Sequence, residues 1–353
     1  MYPKNPIDIA ECFDNDTFNE WLNSFDVVLS DCDGNEHQYI VLFTKLKNRY
    51  FLLGVLWLHD QLYDGSNDVI NKFVELGKKV YLITNNSQTN REEMVAKCKK
   101  FGFNLELVNF YRFCSLGILI KKFFFKENMI STSKATAQYL KSIGFDEKAY
   151  VIGNKILVAE LEAEGIKTIG SGPDVVHSPL SDYVYSTLKT MDKEVGAVVV
   201  GFDEHYGFPK LFKAVNYLRN PAVKFIATND DDKIDFPNFT FPDTGATIAS
   251  IETASHRKVE VIGKPSLKLT DIVLKHEMHR DSNRFLMIGD RLSTDILFGN
   301  RNKFQTLLVG TGVSSLKDVQ DVIDKVKRGE GNEDSENLIP QFYISALKNL
   351  LRK

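Results

Sequence analysis

Residues 27–34 read VVLSDCDG, an apolar run followed by two aspartates that are separated by one position. The apolar run is typical of a buried parallel strand, and ligands bind at the carboxyl ends of such strands. Side chains two positions apart in an extended chain point to the same side, so Asp31 and Asp33 present their carboxylates together. One carboxylate can attack as a nucleophile while the other transfers protons. An isolated Asp-x-Asp-Gly is more often a turn, so the rest of the chain has to decide between the two interpretations.

Short β-branched runs alternate with amphipathic segments over most of the chain, and this alternation predicts an α/β fold with parallel sheets. The polar composition of residues 324–337 predicts a solvated connection before a last helix. The predicted strands are residues 27–29, 80–83, 197–200, 225–227, 259–262 and 285–288, and the predicted helices are residues 90–100, 133–141 and 267–276.

Three further predicted strands also end in polar residues. Thr84-Asn85-Asn86, Gly263-Lys264 and Gly289-Asp290 each follow an apolar run directly. The carboxyl ends of parallel strands lie at one edge of a sheet, so these clusters are expected to converge on a single site. Each cluster alone has an ordinary structural explanation, such as a helix cap, a surface lysine or a turn. Their joint occurrence, in order and each after a strand, favours a functional site.

The residue types of these clusters favour phosphoryl transfer. Asp31, Asp33, Asp290 and Asp295 would repel one another strongly, and a divalent cation that prefers oxygen ligands, Mg²⁺, relieves this repulsion. The cation also neutralises a phosphate, which lets an anionic nucleophile approach it. Lys264 offers a second, compact positive charge.

Four motifs carry a resemblance to a known family: SDCDG (30–34), TNN (84–86), GKPS (263–266) and GDRLSTD (289–295). In this order they resemble the haloacid dehalogenase (HAD) superfamily. The segment VLWLHDQLYDG (55–65) and its surroundings resemble the branch of phosphoglycolate phosphatase, pyridoxal phosphatase (chronophin) and 4-nitrophenylphosphatase. The resemblance implies a doubly wound, Rossmann-like parallel-sheet core with an inserted α/β cap domain. It places the catalytic core in residues 1–145 and 258–353 and the cap in residues 146–257.

The resemblance also implies roles for the four aspartates. Asp31 would be the nucleophile that forms an aspartyl-phosphate, and Asp33 would be the general acid and base. Mg²⁺ would be held by Asp31, by the main-chain carbonyl of Asp33 and by Asp290, while Asp295 would orient metal-bound water. The activity implied is the Mg²⁺-dependent hydrolysis of small phosphomonoesters similar to phosphoglycolate or pyridoxal phosphate.

The remaining motif residues are expected to bind the substrate. By resemblance, Thr84, Asn85 and Asn86 would contact the phosphate, and Lys264 would pair with Asp31 and the phosphate. The loop of residues 228–245 would help to select the leaving group. The resemblance further implies a homodimer that forms through the cap.

Two segments interrupt the pattern. Residues 35–54 and about 105–125 are rich in Phe, Leu, Ile, Lys and Asn, lack turn residues at regular places and are interpreted as insertions. Translated non-coding sequence is one explanation for both. The first insertion begins directly after Asp33-Gly34, where it could misplace the proton-transfer group. A catalytically impaired paralogue that acts as a dimerising or phosphometabolite-binding protein is therefore the alternative function.

The composition sets the remaining expectations. The formal charge of −3 argues against a nucleic-acid or anionic-membrane partner. The amino-terminal residues do not resemble a signal peptide, and no apolar run reaches the roughly 18 residues of a membrane span. A cytoplasmic location is expected, because the four cysteines show neither disulfide nor metal-ligand spacing.

Overall fold

The computed structural model describes most of the chain. The insertions predicted at 35–54 and 105–125 lie outside the described residues, and so does Asp33. The described residues are 5–32, 55–58, 60–104, 128–236, 239–275, 277 and 280–352.

The chain forms two compact units, which we call unit 1 and unit 2. Unit 1 contains Met1–Thr84, Arg91–Ile130 and Lys275–Lys353. Unit 2 contains Asn85–Asn90 and Ser131–Leu274. The predicted division into a core and a cap at 146–257 stays a prediction. Unit 2 is longer than that predicted cap at both ends.

Sixteen strands lie within the described residues. They are β1 (Ile7–Asp8), β2 (Val27–Asp31), β3 (Trp57–Leu58), β4 (Gln61–Leu62), β5 (Lys79–Thr84), β6 (Met129–Ser131), β7 (Lys148–Ile152), β8 (Lys167–Ile169), β9 (Val195–Val200), β10 (Lys224–Ala227), β11 (Lys233–Phe236), β12 (Phe239–Pro242), β13 (Glu260–Val261), β14 (Phe285–Gly289), β15 (Gln305–Val309) and β16 (Phe342–Ile344).

Twelve α-helices accompany these strands in the part of the chain that the structure describes. They are α1 (Ile9–Cys12), α2 (Asn15–Asn23), α3 (Ser66–Glu75), α4 (Arg91–Lys100), α5 (Thr132–Ser142), α6 (Lys155–Ala163), α7 (Leu180–Thr190), α8 (Phe208–Leu218), α9 (Thr244–Ser255), α10 (Leu267–Val273), α11 (Leu297–Arg301) and α12 (Leu316–Lys327).

The sheet of unit 1 has the strand order β1-β16-β15-β14-β2-β5-β6 among the described residues. β2 lies near its centre, with β14 and β5 as parallel neighbours on either side. All five residues of β2 are buried, as expected for a parallel strand that is covered on both faces. This order places the carboxyl ends of β14, β2 and β5 next to one another. Three of the four motifs therefore end at the same edge of one sheet.

The sheet of unit 2 has the order β13-β10-β9-β7-β8, and its neighbouring strands are all parallel. All six residues of the central strand β9 are buried. Ala214 and Leu218 of α8 and Ile248 and Ile251 of α9 belong to the same hydrophobic cluster as these strands. Burial of a large aliphatic side chain stabilises a fold by roughly 1.5–3 kcal/mol. The unit therefore has a hydrophobic core of its own.

The predicted α/β fold with parallel sheets is confirmed, and all six predicted strands occur. They are divided between two sheets, with β2, β5 and β14 in unit 1 and β9, β10 and β13 in unit 2. β7, β15 and β16 were not among the predicted strands, although β15 ends in the apolar residues Leu307, Leu308 and Val309.

The prediction for the carboxyl-terminal region is wrong in part. Residues 324–327, predicted to lie in a solvated connection, form the last turn of the amphipathic helix α12. A capping box of Ser315 and Asp318 begins this helix, and Val319 and Ile323 are buried. The many polar residues of this segment obscured the helical spacing of its apolar residues. Among the described residues, no helix has both the length and the hydrophobicity that a bilayer crossing requires.

Candidate active site

Asp31 is the last residue of the central strand β2. It is 7% exposed, and its main-chain carbonyl accepts a hydrogen bond from Ser30 Oγ at 2.8 Å. Asp31 pairs with Ile83 in the register of β2 and β5. Thr84, the last residue of β5, therefore lies one position beyond Asp31 at the same edge of the sheet. Both residues are in unit 1, and both are buried.

Asp290 directly follows β14, the other neighbour of β2. Its Oδ2 accepts a hydrogen bond from the main-chain N–H of Val313 at 3.0 Å. The main-chain N–H of Ser314 donates to the carbonyl of Asp290 at 2.8 Å. A Cβ atom at Gly312 would lie 2.0 Å from Asp290 Cβ, so only glycine permits this approach. The loop after β15 thereby fixes the orientation of the Asp290 carboxylate.

Asp295 lies in a single π-helical turn, Leu292–Ile296, after β14. Its Oδ2 accepts hydrogen bonds from the main-chain N–H groups of Asp290 and Arg291, both at 3.1 Å. A Cβ atom at Gly289 would lie 2.1 Å from Asp295 Cβ. The Asp295 carboxylate is therefore packed directly against the end of β14 and holds the backbone of Asp290.

These three aspartates form the group that we call the acid cluster. One carboxylate oxygen from each of Asp31, Asp290 and Asp295 lies within 4.8 Å of the other two, and all three residues are buried. Carboxylates in such a group repel one another, and burial strengthens the repulsion. Mg²⁺ prefers hard oxygen ligands, so the donor set fits this ion. The acid cluster is the candidate metal site.

Tyr63 is one residue near the acid cluster that the sequence analysis did not single out. Burial, together with the negative charge of Asp290, raises the pKa of the Tyr63 phenol. Its hydroxyl is buried and has no hydrogen-bond partner in the described part of the chain. The phenol therefore stays neutral at physiological pH and adds no further negative charge.

Asn85 and Asn86 belong to unit 2, although they follow Thr84 directly. Asn86 Oδ1 accepts from the main-chain N–H of Gln88 at 2.7 Å, and Asn86 Nδ2 donates to Thr89 Oγ1 at 3.3 Å. These contacts are typical of an asparagine that closes its own turn. The prediction that Asn86 contacts phosphate stays a prediction.

The side chain of Asn85 contacts the backbone of Lys264. Asn85 Oδ1 accepts from the Lys264 N–H, and Asn85 Nδ2 donates to the Lys264 carbonyl, both at 3.0 Å. Nδ2 also donates to Asp231 Oδ2 at 3.1 Å. An amide has two N–H donors, and both are used here. A side-chain contact between Asn85 and phosphate would have to displace one of these bonds.

The structure thus brings Asp31, Asp290 and Asp295 together in unit 1, with Thr84 at the same sheet edge. It brings Asn85 and Lys264 together in unit 2. The roles predicted for these residues stay predictions. Gly312 and Asp231 were not predicted individually as site residues. A Gly-x-Gly after an apolar run could have indicated Gly312, whereas nothing local in the sequence indicates the partner of Asp231.

Comparison with known sequences gives the family. A sequence profile of the haloacid dehalogenase-like hydrolases matches residues 52–167, and a HAD-hydrolase-like profile matches residues 261–329. The chain is 33% identical over 340 residues to glycerol-3-phosphate phosphatase of Rattus norvegicus, covering 94% of this chain and 91% of the rat protein. It is 31% identical over 300 residues to rat chronophin, covering 84% of each chain. The chain belongs to the haloacid dehalogenase-like hydrolases.

A solved structure supports the fold. The p-nitrophenyl phosphatase from Archaeoglobus fulgidus matches with a TM-score of 0.64 at 20% identity, covering 93% of this chain and 99% of that one. The predicted resemblance to the HAD superfamily and its phosphatase branch is confirmed. The predicted Rossmann-like fold class is confirmed as well. The first profile match begins at residue 52, so it does not include Asp31 or Asp33.

Proposed function

We propose that this protein is a Mg²⁺-dependent phosphatase that hydrolyses small phosphomonoesters through an aspartyl-phosphate on Asp31. The observation that carries the proposal is the acid cluster, in which three buried carboxylates lie within 4.8 Å of one another at the carboxyl end of a central strand. The relative named glycerol-3-phosphate phosphatase supports the same function.

Asp31 and Asp290 would hold the Mg²⁺ ion together with the main-chain carbonyl of Asp33, which lies outside the described residues. When bound, the ion supplies positive charge to the substrate phosphate. Asp295 would act through its hydrogen bonds to the backbone of Asp290 and Arg291. Lys264 is proposed as the protein cation for the phosphate.

The proposed reaction has two steps. In the first, an Asp31 carboxylate oxygen attacks phosphorus, the bond from phosphorus to the ester oxygen breaks, and Asp33 gives a proton to the leaving alcohol. In the second, Asp33 takes a proton from water as the water oxygen attacks the same phosphorus. The bond from phosphorus to the Asp31 oxygen then breaks, which releases inorganic phosphate and restores both carboxyl groups.

The substrate class is proposed from the relatives. Glycerol-3-phosphate phosphatase is named for a small phosphorylated metabolite, and the chain aligns with 91% of the length of the rat protein. A small phosphorylated metabolite, of the size of glycerol-3-phosphate, phosphoglycolate or pyridoxal phosphate, is therefore the proposed substrate. A homodimer formed through the predicted cap, and a cytoplasmic location, are further expectations that come from the resemblance and the composition.

The alternative is a catalytically impaired paralogue that binds a phosphometabolite or dimerises. One observation favours it: the first profile match begins only at residue 52, near the end of the predicted insertion at 35–54. This agrees with an interruption directly after Asp33-Gly34. An insertion that shifts Asp33 by ~1 Å could lower the rate ~100-fold.

The test is a steady-state assay of the purified full-length chain with 4-nitrophenyl phosphate and with a panel of the three metabolites, in saturating Mg²⁺. The proposal expects turnover by the wild-type chain and none by Asp31→Asn. Phosphate that is attached to the wild-type chain, is released by hydroxylamine and is absent from Asp31→Asn would identify the intermediate. If the wild-type chain binds inorganic phosphate but hydrolyses none of the esters, the alternative is correct.

A further inference from the structure

The hydrogen bonds around Asn85 form what we call the Asn85 network: the side chains of Asn85, Asn229 and Asp231 and the peptide groups of Lys264. Asn85 contacts the N–H and the C=O of Lys264 at once, both at 3.0 Å. Such a reciprocal pair fixes both the distance and the orientation of a residue, as in a β-ladder. The backbone of Lys264 is therefore held in one direction.

Neighbouring atoms leave little room for another arrangement. The N–H of Gly263 donates to the carbonyl of Thr228 at 2.8 Å. A Cβ atom at position 263 would lie 2.6 Å from that carbonyl oxygen and 2.8 Å from Asn85 Oδ1. Lys264 itself is only 1% exposed. The Lys264 side chain therefore has little room to move, and a small rotation of the Lys264 backbone would change the direction in which this side chain points.

Asp231 stabilises the observed orientation of the Asn85 amide. Its Oδ2 accepts from Asn85 Nδ2 at 3.1 Å and from Asn229 Nδ2 at 3.0 Å. An ionised carboxylate can only accept hydrogen bonds, and bonds to it are stronger than neutral ones. A flipped Asn85 amide would turn its oxygen towards the oxygens of Asp231 and Lys264. Asp231 thus strengthens the preference for the amide orientation that the N–H and C=O of Lys264 also require.

We infer that Asp231 and Asn85 are positioning residues that act through Lys264, and this inference rests on the proposed phosphatase function. Asp231 lies in the loop of residues 228–245, which was expected to select the leaving group. That role of the loop stays a prediction, and the Asp231 carboxylate accepts from Asn85 and Asn229. By holding the peptide of Lys264, the pair sets the direction from which the ammonium group approaches a phosphate.

The test is a double-mutant cycle on kcat/KM with 4-nitrophenyl phosphate, using Asp231→Asn, Lys264→Ala and the double variant. Asp231→Asn removes the charged acceptor and leaves the side-chain size unchanged. We expect it to lower kcat/KM about 10–100-fold, the size of a 1 Å misplacement. In the Lys264→Ala background the same substitution should change kcat/KM by less than about twofold, because the group through which Asp231 acts is absent.

A matched control and a second measurement keep the test decisive. Asp182→Asn makes the same charge change at an exposed position of α7 and should leave kcat/KM unchanged. Thermal unfolding of each variant establishes that it is folded. If Lys264→Ala has too little turnover, the same double-mutant cycle is measured on the affinity for inorganic phosphate by calorimetry. Asn85→Ala should show the same dependence on Lys264.

The possible outcomes separate the two proposals. If the wild-type chain is active and Asp231→Asn lowers kcat/KM by the same factor with and without Lys264, the positioning role is wrong and the proposed function stands. Full activity of Asp231→Asn would overturn the inference as well. If the wild-type chain hydrolyses no phosphomonoester, the proposed function itself fails and the inference fails with it.

Discussion

The acid cluster of unit 1 is buried and the Asn85 network of unit 2 is partly buried, and their charges are arranged in opposite ways. In the Asn85 network, donors face acceptors, and the one carboxylate receives two amide N–H groups. In the acid cluster, three carboxylates lie within 4.8 Å of one another. The first arrangement stabilises a local conformation, whereas the second adds like-charge repulsion.

This difference fits the two proposed roles, in which the Asn85 network positions Lys264 and the acid cluster takes part in the reaction. Active sites are regions where a protein keeps charges that oppose folding, because the chemistry needs them. A fully hydrogen-bonded network instead specifies one conformation of the backbone. Substitutions in either group should therefore lower activity, but they should change the stability of the fold in opposite directions.

The largest effect is expected at Asp31. Asp31→Asn replaces the attacking carboxylate with a poor nucleophile of the same size, so turnover should fall at least ~1,000-fold. The measurement is kcat with 4-nitrophenyl phosphate, with detection of the phosphoenzyme. Asp16→Asn, at an exposed position of α2, is the matched control and should retain wild-type kcat. Retention of wild-type turnover by Asp31→Asn would show that another group attacks phosphorus.

Removal of the metal should have the next largest effect. The acid cluster needs a cation to bring an anionic nucleophile to an anionic substrate, so EDTA should lower kcat at least ~100-fold. Mg²⁺ should restore the activity, whereas Ca²⁺ should not, because its longer and looser coordination misplaces the reacting groups. Full activity in EDTA, with metal content checked by mass spectrometry, would contradict the assignment of the acid cluster as a metal site.

The predicted insertion at 35–54 should have a smaller effect. Deletion of these residues joins Gly34 to Val55 and restores the uninterrupted motif of the family. We expect kcat to rise at least ~10-fold, which corresponds to about 1.4 kcal/mol of transition-state stabilisation. A chain with residues 105–125 deleted is the comparison, since an insertion away from the motifs should matter less. Equal kcat with and without residues 35–54 would remove the main support for the impaired-paralogue alternative.

Much of this architecture could be predicted from the sequence, because the signals are local. The strand at 27–29 and the polar residues that follow it are adjacent in the chain, and parallel pairing brings Asp31 and Asp290 to one edge. The division of the strands between two sheets could not be predicted in the same way, because β9 and β14 are equally apolar. Their sheet is decided by long-range pairing.

The contacts that orient the site were the least predictable. Asn85 and Asp231 are 146 positions apart in the chain, and their hydrogen bond depends on how two loops of unit 2 meet. The motif alone suggests a phosphate-binding asparagine, whereas the structure shows that both N–H donors of this side chain are already used. Whether the hydrogen-bond donors of a side chain are used depends on the three-dimensional arrangement, and the spacing of residues in the sequence does not reveal it.

The smallest expected effects are on stability, and substitutions in the two groups should change the free energy of unfolding in opposite directions. In EDTA, Asp290→Asn should raise the free energy of unfolding by ~1 kcal/mol, because it removes one of three mutually repelling charges. Its Oδ1 can still accept the hydrogen bond from Val313 N–H. Asp231→Asn should lower the free energy of unfolding by ~1 kcal/mol, because a neutral amide oxygen accepts weaker hydrogen bonds from Asn85 and Asn229 than the ionised carboxylate does. Urea unfolding of both variants, with Asp182→Asn as the control, measures the two signs.

Saturating Mg²⁺ should make Asp290→Asn less stable than the wild-type chain. An ion present at about 100 times its dissociation constant stabilises the wild-type chain by about 2.7 kcal/mol, and it should bind the variant poorly. Destabilisation by Asp290→Asn in EDTA would mean that the acid cluster supports the fold as the Asn85 network does, and the contrast between the two regions would be lost.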